Sequence, residues 1–401
     1  MRILFIVPYV PSRIRIRPFA LIRELSRNHE VHIIALAEPG SAKHPGVDEL
    51  PGMVEELTII PHSSIRGYAQ SLLALASPTP MCAAYCWSAS MKNAVEKALT
   101  SSHFDIIHVE HLRAAHFVPL NTKIPVVFDS VDCLTGLFRQ MYSSKRNPLG
   151  KLVALEEYLK LRRYEPVLIR RFNHTIITSE SEKKEMAALY PDGTVSVVPN
   201  GVDTDYFTPI GHNRHPHRMV FSGKMSYHPN AQAVIWFAES VFPAIKTKFT
   251  DAEFVIVGSN PPPAVQRLAQ IQGITVTGRV EDIRPYLDSS SIAVAPMRVG
   301  VGVQNKVLEA MAMQLPVVAS PIAVRPFGKN CPGIVAAETV SETAASIIQL
   351  MAHPEEAVDV GIRGRTHVVE NYSWCCSERM LIEIYADLCD RANSGTGRND
   401  G

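Results

Sequence analysis

Residues 295–312 read Ala295-Pro296-Met297-Arg298-Val299-Gly300-Val301-Gly302-Val303-Gln304-Asn305-Lys306-Val307-Leu308-Glu309-Ala310-Met311-Ala312. A short apolar strand ends at Ala295, two spaced glycines follow, and apolar residues at helical spacing begin near Val303. A parallel strand that passes through glycines into a helix presents backbone N–H groups and the positive end of the helix dipole to an anion. The stretch therefore predicts an α/β domain with a diphosphate site at the carboxyl edge of its sheet.

Short β-branched runs alternate with helical stretches on both sides of this segment. The first such unit has a strand at residues 3–7, a helix at 17–27 and a strand at 31–36. Residues 200–217, which contain Gly, Pro and three histidines, interrupt the alternation and indicate a polar linker rather than a metal site. A chain of 401 residues usually fills more than one core. We expect doubly wound domains at 1–203 and 204–376, a helix at about 377–390 that packs back on the first domain, and a disordered tail at 391–401.

The composition excludes several classes of protein. Lys plus Arg number 40 and Asp plus Glu number 39, so general nucleic-acid binding is not expected. The seven cysteines include no C-x-x-C pair, which argues against a disulfide framework or a zinc site. The apolar run at residues 3–7 is too short for a signal peptide, and no stretch is long enough to span a bilayer. We therefore expect a cytoplasmic protein, with contact at the inner face of the cell membrane left open.

Lys306 and Glu309 are the charged residues at the start of the predicted helix. Lys306 falls in the first turn or two, where its ammonium can pair with a phosphate oxygen. Glu309 lies one turn further on, where a carboxylate can accept hydrogen bonds from two neighbouring ribose hydroxyls. The alternative is an ordinary helix start with a solvent-exposed lysine and glutamate.

Residues 300–320 closely resemble the donor-site signature of glycosyltransferase family 4, which has the GT-B fold. Residues 199–203, Pro-Asn-Gly-Val-Asp, are similar to the sequence at the end of that family's first domain, and Thr277-Gly278-Arg279-Val280 resembles its loop for the nucleotide base. The resemblance implies two Rossmann-like domains that face a cleft. It also implies a hexosyl- or related glycosyltransferase that acts with retention. No acidic metal-binding pair is evident in the sequence, so we expect no obligatory metal or cofactor. Residues 300–306 narrow the resemblance to bacterial exopolysaccharide-associated sugar transferases.

The resemblance implies that the second domain binds a UDP- or GDP-sugar and transfers the sugar to a glycan or lipid-linked acceptor in polysaccharide or glycoconjugate biosynthesis. The implied donor-site residues are Gly223, Lys224, Gly278, Arg279, Val280, Gly300, Gly302, Val303, Gln304, Lys306 and Glu309. Two positions depart from the family pattern. Val301 stands where many members have a glutamate for the donor sugar, and Asn230 stands where many have a lysine, so Lys306 is expected to supply the missing charge. These departures keep two alternatives open: a non-catalytic nucleotide-sugar-binding scaffold, or an epimerase on the same fold.

The acceptor side is expected in the first domain, at the strand that carries His108, Glu110 and His111. In the family, a histidine from such a strand and loop approaches the donor sugar. All three residues are candidates, and a structural histidine is the alternative for each of the two histidines. Asp129 and Asp132 follow the next strand and either orient an acceptor hydroxyl or cap a helix.

Two arginine clusters have no assigned role in this scheme. Arg13, Arg15 and Arg17 lie in the first strand-to-helix loop, where they either bind an anionic acceptor or form a solvated loop. The second cluster suits attachment to anionic lipid, although the sequence shows no clear hydrophobic stripe beside it. It consists of Arg162, Arg163, Arg170 and Arg171.

Overall fold

A computed structural model describes residues 1–144, 147–191, 193–299, 303–328 and 330–396. The chain divides into two compact units, one formed by Met1–Pro199 with the chain from Ser377 onward, and the other by Asn200–Cys376. Each unit contains one parallel sheet and its helices. The chain enters the second unit at Asn200, so residues 200–217 belong to that unit rather than to a separate linker.

The first unit contains a seven-stranded parallel sheet in the order β3-β2-β1-β4-β5-β6-β7. Its inner strands β1 and β4 are almost wholly buried, as expected for a sheet covered on both faces. The strands are β1 Arg2–Val7, β2 Glu30–Ala37, β3 Glu56–Pro61, β4 Ile106–Glu110, β5 Val126–Val131, β6 His174–Ile177 and β7 Val195–Val197.

Helices of the first unit connect these strands, and one more returns from the end of the chain. They are α1 Ile16–Leu25, α2 Ser64–Ala74, α3 Met81–Tyr85, α4 Ala89–Ser101, α5 Leu112–Ala115, α6 Leu134–Ser144, α7 Pro148–Arg171 and α8 Glu180–Leu189, with α17, Trp374–Thr396, beginning just before the unit boundary. The last helix brings Tyr385 and Leu381 into the buried interior. It continues through residue 396, so residues 391–396 are helical and the expectation of a tail that begins at 391 is wrong there. Residues 397–401 lie outside the described part of the chain.

The second unit contains a six-stranded parallel sheet in the order β10-β9-β8-β11-β12-β13. Its strands are β8 Arg218–Ser222, β9 Glu253–Val257, β10 Ile274–Gly278, β11 Ile292–Ala295, β12 Val317–Ala319 and β13 Ile334–Ala336. Its helices are α9 His228–Trp236, α10 Phe242–Lys248, α11 Pro263–Gln266, α12 Arg284–Asp288, α13 Asn305–Ala312, α14 Pro321–Val324, α15 Val340–Ala352 and α16 Pro354–Asn371. A π-helical turn at Phe237–Val241 separates α9 from α10.

Each sheet has a point where the strand order reverses. In the first unit this point lies between β1 and β4, and in the second it lies between β8 and β11. Ligands of open α/β sheets bind beyond the carboxyl ends of the strands at such a point. The residues after β8 and β11, and those after β1 and β4, are therefore the places to look for function.

Candidate donor and acceptor sites

Lys306 extends from the first turn of α13 toward the end of β8. Its ammonium donates hydrogen bonds to Asn230 Oδ1 at 3.0 Å and to Gln304 Oε1 at 3.3 Å. It also lies 5.2 Å from the ring centre of Phe221. Burial lowers the pKa of Lys306 to about 8, and the nearby carboxylate of Glu309 opposes this shift. The ammonium is therefore held by neutral oxygens and no ion pair neutralises it within the described residues.

The backbone after β8 passes close to this lysine because Gly223 has no side chain. A Cβ atom at Gly223 would lie 2.7 Å from Asn230 Nδ2 and 3.3 Å from Lys306 Cε. The Asn230 amide nitrogen in turn donates to the Lys224 carbonyl at 2.9 Å. Asn230 therefore joins the turn after β8 to Lys306. Many family members have a lysine at the position of Asn230. Here the Asn230 amide instead orients the ammonium of Lys306.

Gly258 permits a second close approach in the same region. A Cβ atom at Gly258 would lie 1.7 Å from the Gly223 carbonyl oxygen, so only glycine fits between the ends of β8 and β9. The Gly258 N–H donates to the Gly278 carbonyl at 3.1 Å, which connects the next strand, β10. The three glycines hold the carboxyl ends of three adjacent strands together.

Glu309 lies one helical turn after Lys306 on α13, on the same side of the helix. It is partly buried, and its carboxylate makes no hydrogen bond to any described residue. Burial raises the pKa of its carboxyl group to about 7, against the opposing effect of Lys306. A desolvated carboxylate with free acceptor oxygens suits hydroxyl donors such as those of a ribose.

The remaining donor-site candidates of the second unit have these positions. Gly278 has a φ of +71°, and nothing lies within 4 Å of where its Cβ would be. Arg279 and Lys224 are exposed, Val280 is partly buried against the core, and Val303 is buried. Gly300, Val301 and Gly302 lie outside the described residues. The structure therefore brings Gly223, Gln304, Lys306 and Asn230 together and places Gly278–Val280 at the end of β10.

Two arginines that the sequence interpretation missed bind the carboxyl end of α13. Arg214 donates to the carbonyls of Met313 at 2.9 Å and Gln314 at 3.0 Å. Arg365, from α16, donates to the Ala312 carbonyl and, at 2.8 Å, to the Phe207 carbonyl. Cations at the carboxyl end of a helix donate hydrogen bonds to its last carbonyls and interact favourably with the negative end of the helix dipole. They fix the helix that carries Lys306 and Glu309.

In the first unit, Arg17 and Asp129 form a buried ion pair. Arg17 Nε lies 2.7 Å from Asp129 Oδ2, and the side chains are 5% and 0% exposed. Asp129 Oδ2 also lies 3.6 Å from His108 Nε2. The Arg17 guanidinium and His108 lower the pKa of Asp129 although burial alone would raise it. Arg17 thus has a structural role, unlike its exposed neighbours Arg13 and Arg15.

His108 is fully buried between the first strand and the last helix. Its Nδ1 lies 2.6 Å from the Tyr385 hydroxyl, and its ring stacks on Phe5 with centroids 4.4 Å apart. Burial lowers the pKa of His108 despite the attraction of Asp129. This placement keeps His108 away from solvent, and it favours the structural alternative over direct contact with a donor sugar.

Glu110 and Tyr9 meet where the strand order of the first sheet reverses. The Tyr9 hydroxyl donates to Glu110 Oε1, and Glu110 Oε2 is buried without a partner among the described residues. Burial, and then the charge of Asp129, raise the pKa of Glu110 to about 8. The Arg15 guanidinium lies 4.7 Å from the centre of the Tyr9 ring. The edge therefore carries a buried carboxyl group whose pKa is well above its usual value.

Two residues at the carboxyl ends of neighbouring strands have unusual backbone angles: His111 follows β4, and Val131 is the last residue of β5. Both have a φ of +63°, which is uncommon for any residue with a side chain and rare for valine. The His111 ring accepts from the Arg113 N–H at 3.3 Å, and burial lowers its pKa well below the usual value. Sparsely populated backbone conformations of this kind cluster at functional sites. His111 is partly buried, and it is the candidate histidine at the strand end that retains some exposure.

The other polar residues of the first unit are largely satisfied within it. Burial, and then the charge of Asp132, raise the pKa of Glu182 to about 7. Glu182 Oε1 accepts a hydrogen bond from the Cys133 N–H at 3.3 Å, just before α6. The Arg171 guanidinium donates to the carbonyls of Ala115 and Val118, while Arg170 covers the Tyr190 ring at 4.5 Å. Arg162 and Arg163 are exposed.

The three histidines of residues 212–217 contact three different acids. His212 lies 2.9 Å from Asp288, His215 lies 4.0 Å from Glu253, and His217 lies 2.9 Å from Asp251. Within the described ranges, no group of three His, Cys, Asp or Glu side chains is arranged to hold a metal ion. The same ranges contain no helix that is long and apolar enough to cross a bilayer.

The chain has the GT-B fold, which consists of two parallel-sheet α/β units. Several solved structures share this fold. Sucrose-phosphate synthase of Thermosynechococcus elongatus aligns with a TM-score of 0.70 and 13% identity, over 97% of this chain and 99% of that one. HepE of Anabaena, solved with UDP-glucose, aligns with a TM-score of 0.62 and 12% identity, over 96% of this chain and 100% of that one. A glycosyltransferase of Rickettsia africae aligns with a TM-score of 0.65 and 14% identity, over 96% of this chain and 98% of that one.

Sequence comparison identifies the family. The description Glycosyltransferase Family 4 matches residues 19–206, and Glycosyl transferases group 1 matches residues 216–353. The chain therefore belongs to the family 4 glycosyltransferases of the GT-B fold. Alpha-maltose-1-phosphate synthase of Mycolicibacterium smegmatis is 26% identical over 233 residues, which span 49% of this chain and 58% of that protein.

Proposed function

We propose that this protein transfers a sugar from a UDP- or GDP-sugar to a glycan or lipid-linked acceptor, with retention, in polysaccharide or glycoconjugate synthesis. The observation that carries the proposal is the Lys306 ammonium, held by two neutral amide oxygens beside Gly223 where the strand order of the second sheet reverses. A partly buried cation without an ion pair favours an incoming anion, and a diphosphate suits the first turn of α13.

The donor would contact three parts of the second unit. Its diphosphate would pair with Lys306 and approach the Gly223 backbone, its ribose hydroxyls would donate to Glu309, and its base would lie along Gly278–Val280. Glu309 supports the ribose assignment because its oxygens have no other hydrogen-bond donor in the described chain. HepE, whose solved complexes contain UDP and UDP-glucose, supports a nucleotide-sugar donor.

Lys306 would accelerate the reaction by stabilising the leaving group. As the glycosidic bond lengthens, negative charge grows on the departing diphosphate, and a preorganised cation stabilises that charge more in the transition state than in the bound donor. Lys306 is preorganised because Asn230 and Gln304 hold its ammonium before a ligand arrives. Family membership supports retention of the anomeric configuration. In the proposed reaction the acceptor hydroxyl attacks the front face of the donor sugar, without a covalent intermediate.

The acceptor would approach the end of β4 in the first unit. His111 is our candidate for contact with the sugar or the acceptor hydroxyl, because it has partial exposure and an unusual backbone conformation. Burial raises the pKa of Glu110, which would act through its hydrogen bond with Tyr9. His108 and Asp129 hold this edge from the interior and would act as positioning residues.

A donor screen tests the proposal. The full chain is mixed with UDP-, GDP- and ADP-sugars, and the shift in melting temperature is measured, because a ligand of the folded state alone raises its stability. Products formed with lipid-linked and oligosaccharide acceptors are then identified by mass spectrometry. We expect one donor class to raise the melting temperature and to give a glycosylated acceptor.

Other outcomes of the screen would contradict the proposal in distinct ways. Binding without any product would indicate a nucleotide-sugar-binding scaffold, and conversion of the donor sugar without transfer would indicate an epimerase. No shift with any donor would contradict the donor site itself. Lys248→Ala provides a matched control for site variants, since Lys248 is an exposed lysine of the same unit at the end of α10.

A further inference from the structure

Helix α2 presents most of its apolar side chains to solvent. The exposed fractions are 84% for Ile65, 70% for Tyr68, 68% for Leu72 and 75% for Leu73. These positions follow the i, i+3, i+7, i+8 spacing of a single helix face. Only Gly67 and Ala74 of the helix are buried. An apolar helix face of this kind usually packs against a core or marks an interaction surface.

The long helix α7 has a second exposed stripe that combines apolar and basic residues. Leu149, Leu152, Leu159 and Val167 are 69%, 62%, 50% and 56% exposed. They recur at helical spacing, and Arg163 and Arg170 fall on the same side of the helix. This stripe was not apparent from the sequence, where the basic cluster had no recognisable apolar partner.

The acidic residues of α7 are turned away from this stripe or neutralised. Glu157 accepts from the N–H groups of Met81 and Cys82, and Glu165 accepts from those of Leu134 and Thr135, so each buried glutamate caps another helix. Glu156 pairs with Lys160. The exposed charged side chains of α7 are consequently all cationic, namely Lys151, Arg162, Arg163 and Arg170.

The end of helix α2 contacts helix α7. The Lys160 ammonium donates to the Ala74 carbonyl at 2.6 Å, which brings the end of α2 beside the middle of α7. Residues 57–95, which include all of α2, contain no Asp or Glu. We call the exposed apolar residues of α2 and α7, with Arg66 and the four exposed cations of α7, the α2–α7 surface.

We propose that the α2–α7 surface docks onto an anionic lipid bilayer. Exposed leucines on helices that also expose cations match a bilayer, whose apolar interior lies beneath negatively charged headgroups. Tyr68 adds an amphipathic ring of the kind that is enriched at the lipid–water boundary. The absence of exposed acids on α7 fits a uniformly negative partner better than a protein face of mixed charge. The inference concerns attachment and is independent of the proposed transfer reaction.

Co-sedimentation of the full chain with vesicles tests the proposal. We expect binding to vesicles of phosphatidylglycerol and phosphatidylcholine, at least about tenfold weaker binding to phosphatidylcholine alone, and weakening of the former by salt. Leu72→Ser/Leu73→Ser and Arg162→Glu/Arg163→Glu should each weaken binding at least about tenfold. The melting temperature should stay near that of the parent, because these side chains are exposed.

Matched controls use exposed residues of the other unit. Val358→Ser/Ile362→Ser removes two apolar side chains that are 49% and 47% exposed, and Lys248→Glu/Arg267→Glu reverses two exposed charges. Both should retain parental binding. The proposal is overturned if the parent chain does not bind anionic vesicles, if it binds neutral ones equally, or if the surface variants bind as well as the controls. A dimer in solution that Leu72→Ser/Leu73→Ser dissociates, without any vesicle binding, would instead assign the surface to a second copy.

Discussion

The carboxyl edges of the two sheets differ in how their charges are satisfied. In the first unit, Asp129 pairs with Arg17, and Glu110 accepts from Tyr9. In the second unit, within the described residues, Lys306 donates hydrogen bonds to neutral amide oxygens and the Glu309 carboxylate has no hydrogen-bond donor. Charges that are paired inside the fold mainly stabilise it, whereas a desolvated cation and carboxylate without such partners are available to a ligand. Variants of the two edges should therefore fail in different ways.

The largest expected effect is on the stability of the first unit. Asp129→Ala leaves the buried Arg17 guanidinium without its carboxylate, and breaking such a pair lowers the free energy of unfolding by about 3–5 kcal/mol. Urea denaturation followed by circular dichroism measures the change. Asp251→Ala, which removes an exposed carboxylate that contacts His217, should leave the free energy of unfolding nearly unchanged, because exposed ion pairs contribute little to stability. Equal effects of the two substitutions would show that the buried pair has no special role.

The next effect is on catalysis in the second unit. Lys306→Ala should reduce kcat/KM about 10²- to 10³-fold, the usual loss when one preorganised transition-state contact is removed. The melting temperature should change little, because no ion pair of the fold is broken. Lys248→Ala is the control and should retain parental kinetics. Transfer at the parental rate by Lys306→Ala would reject the assignment of this residue.

The pH dependence of donor binding should show two limbs around the neutral range. Above the Lys306 pKa of about 8, the cation loses its proton and affinity should fall, by up to about tenfold per pH unit. Below the Glu309 pKa of about 7, protonation removes the charged acceptor and affinity should fall more gently. Titration calorimetry from pH 6 to pH 9.5, roughly the range that spans both groups, measures the profile. Lys306→Ala should lose the alkaline limb and Glu309→Gln the acid limb, and a flat parental profile would contradict both assignments.

The smallest effect concerns the contact between the last helix and the first sheet. Tyr385→Phe removes the hydroxyl that lies 2.6 Å from His108 Nδ1, and an unsatisfied buried ring nitrogen costs about 1–3 kcal/mol. The loss should appear in urea denaturation, with KM for the donor unchanged. Tyr158→Phe, on α7, is the control and should stay within about 0.5 kcal/mol of the parent. An altered donor KM with unchanged stability would place Tyr385 in the donor site instead.

The sequence predicts local features of the fold well, because they depend on neighbouring residues. Apolar runs such as residues 253–257 and 292–295 coincide with β9 and β11. Strand β13, Ile334–Ala336, was missed because it is three residues long and only partly buried. Helix α16 was missed because it contains two glycines, Gly361 and Gly364, which weaken the helical signal of the sequence.

Long-range contacts explain what the sequence could not show at the sites. Arg214 and Arg365 reach α13 from about 99 and 53 residues away, and no local pattern marks them as its partners. Glu157 and Glu165 look like ordinary helix-surface charges until they are seen to cap α3 and α6. The burial of His108 likewise depends on Tyr385, which is 277 residues away.

A crystal structure of the full chain with the nucleoside diphosphate that gives the larger thermal shift, UDP or GDP, tests the central claim most directly. We predict that the diphosphate lies against the first turn of α13, with an oxygen within hydrogen-bonding distance of Lys306 Nζ, and that the ribose reaches Glu309. A nucleotide bound elsewhere, with the Lys306–Asn230 contact unchanged and no ligand beside it, would contradict the account.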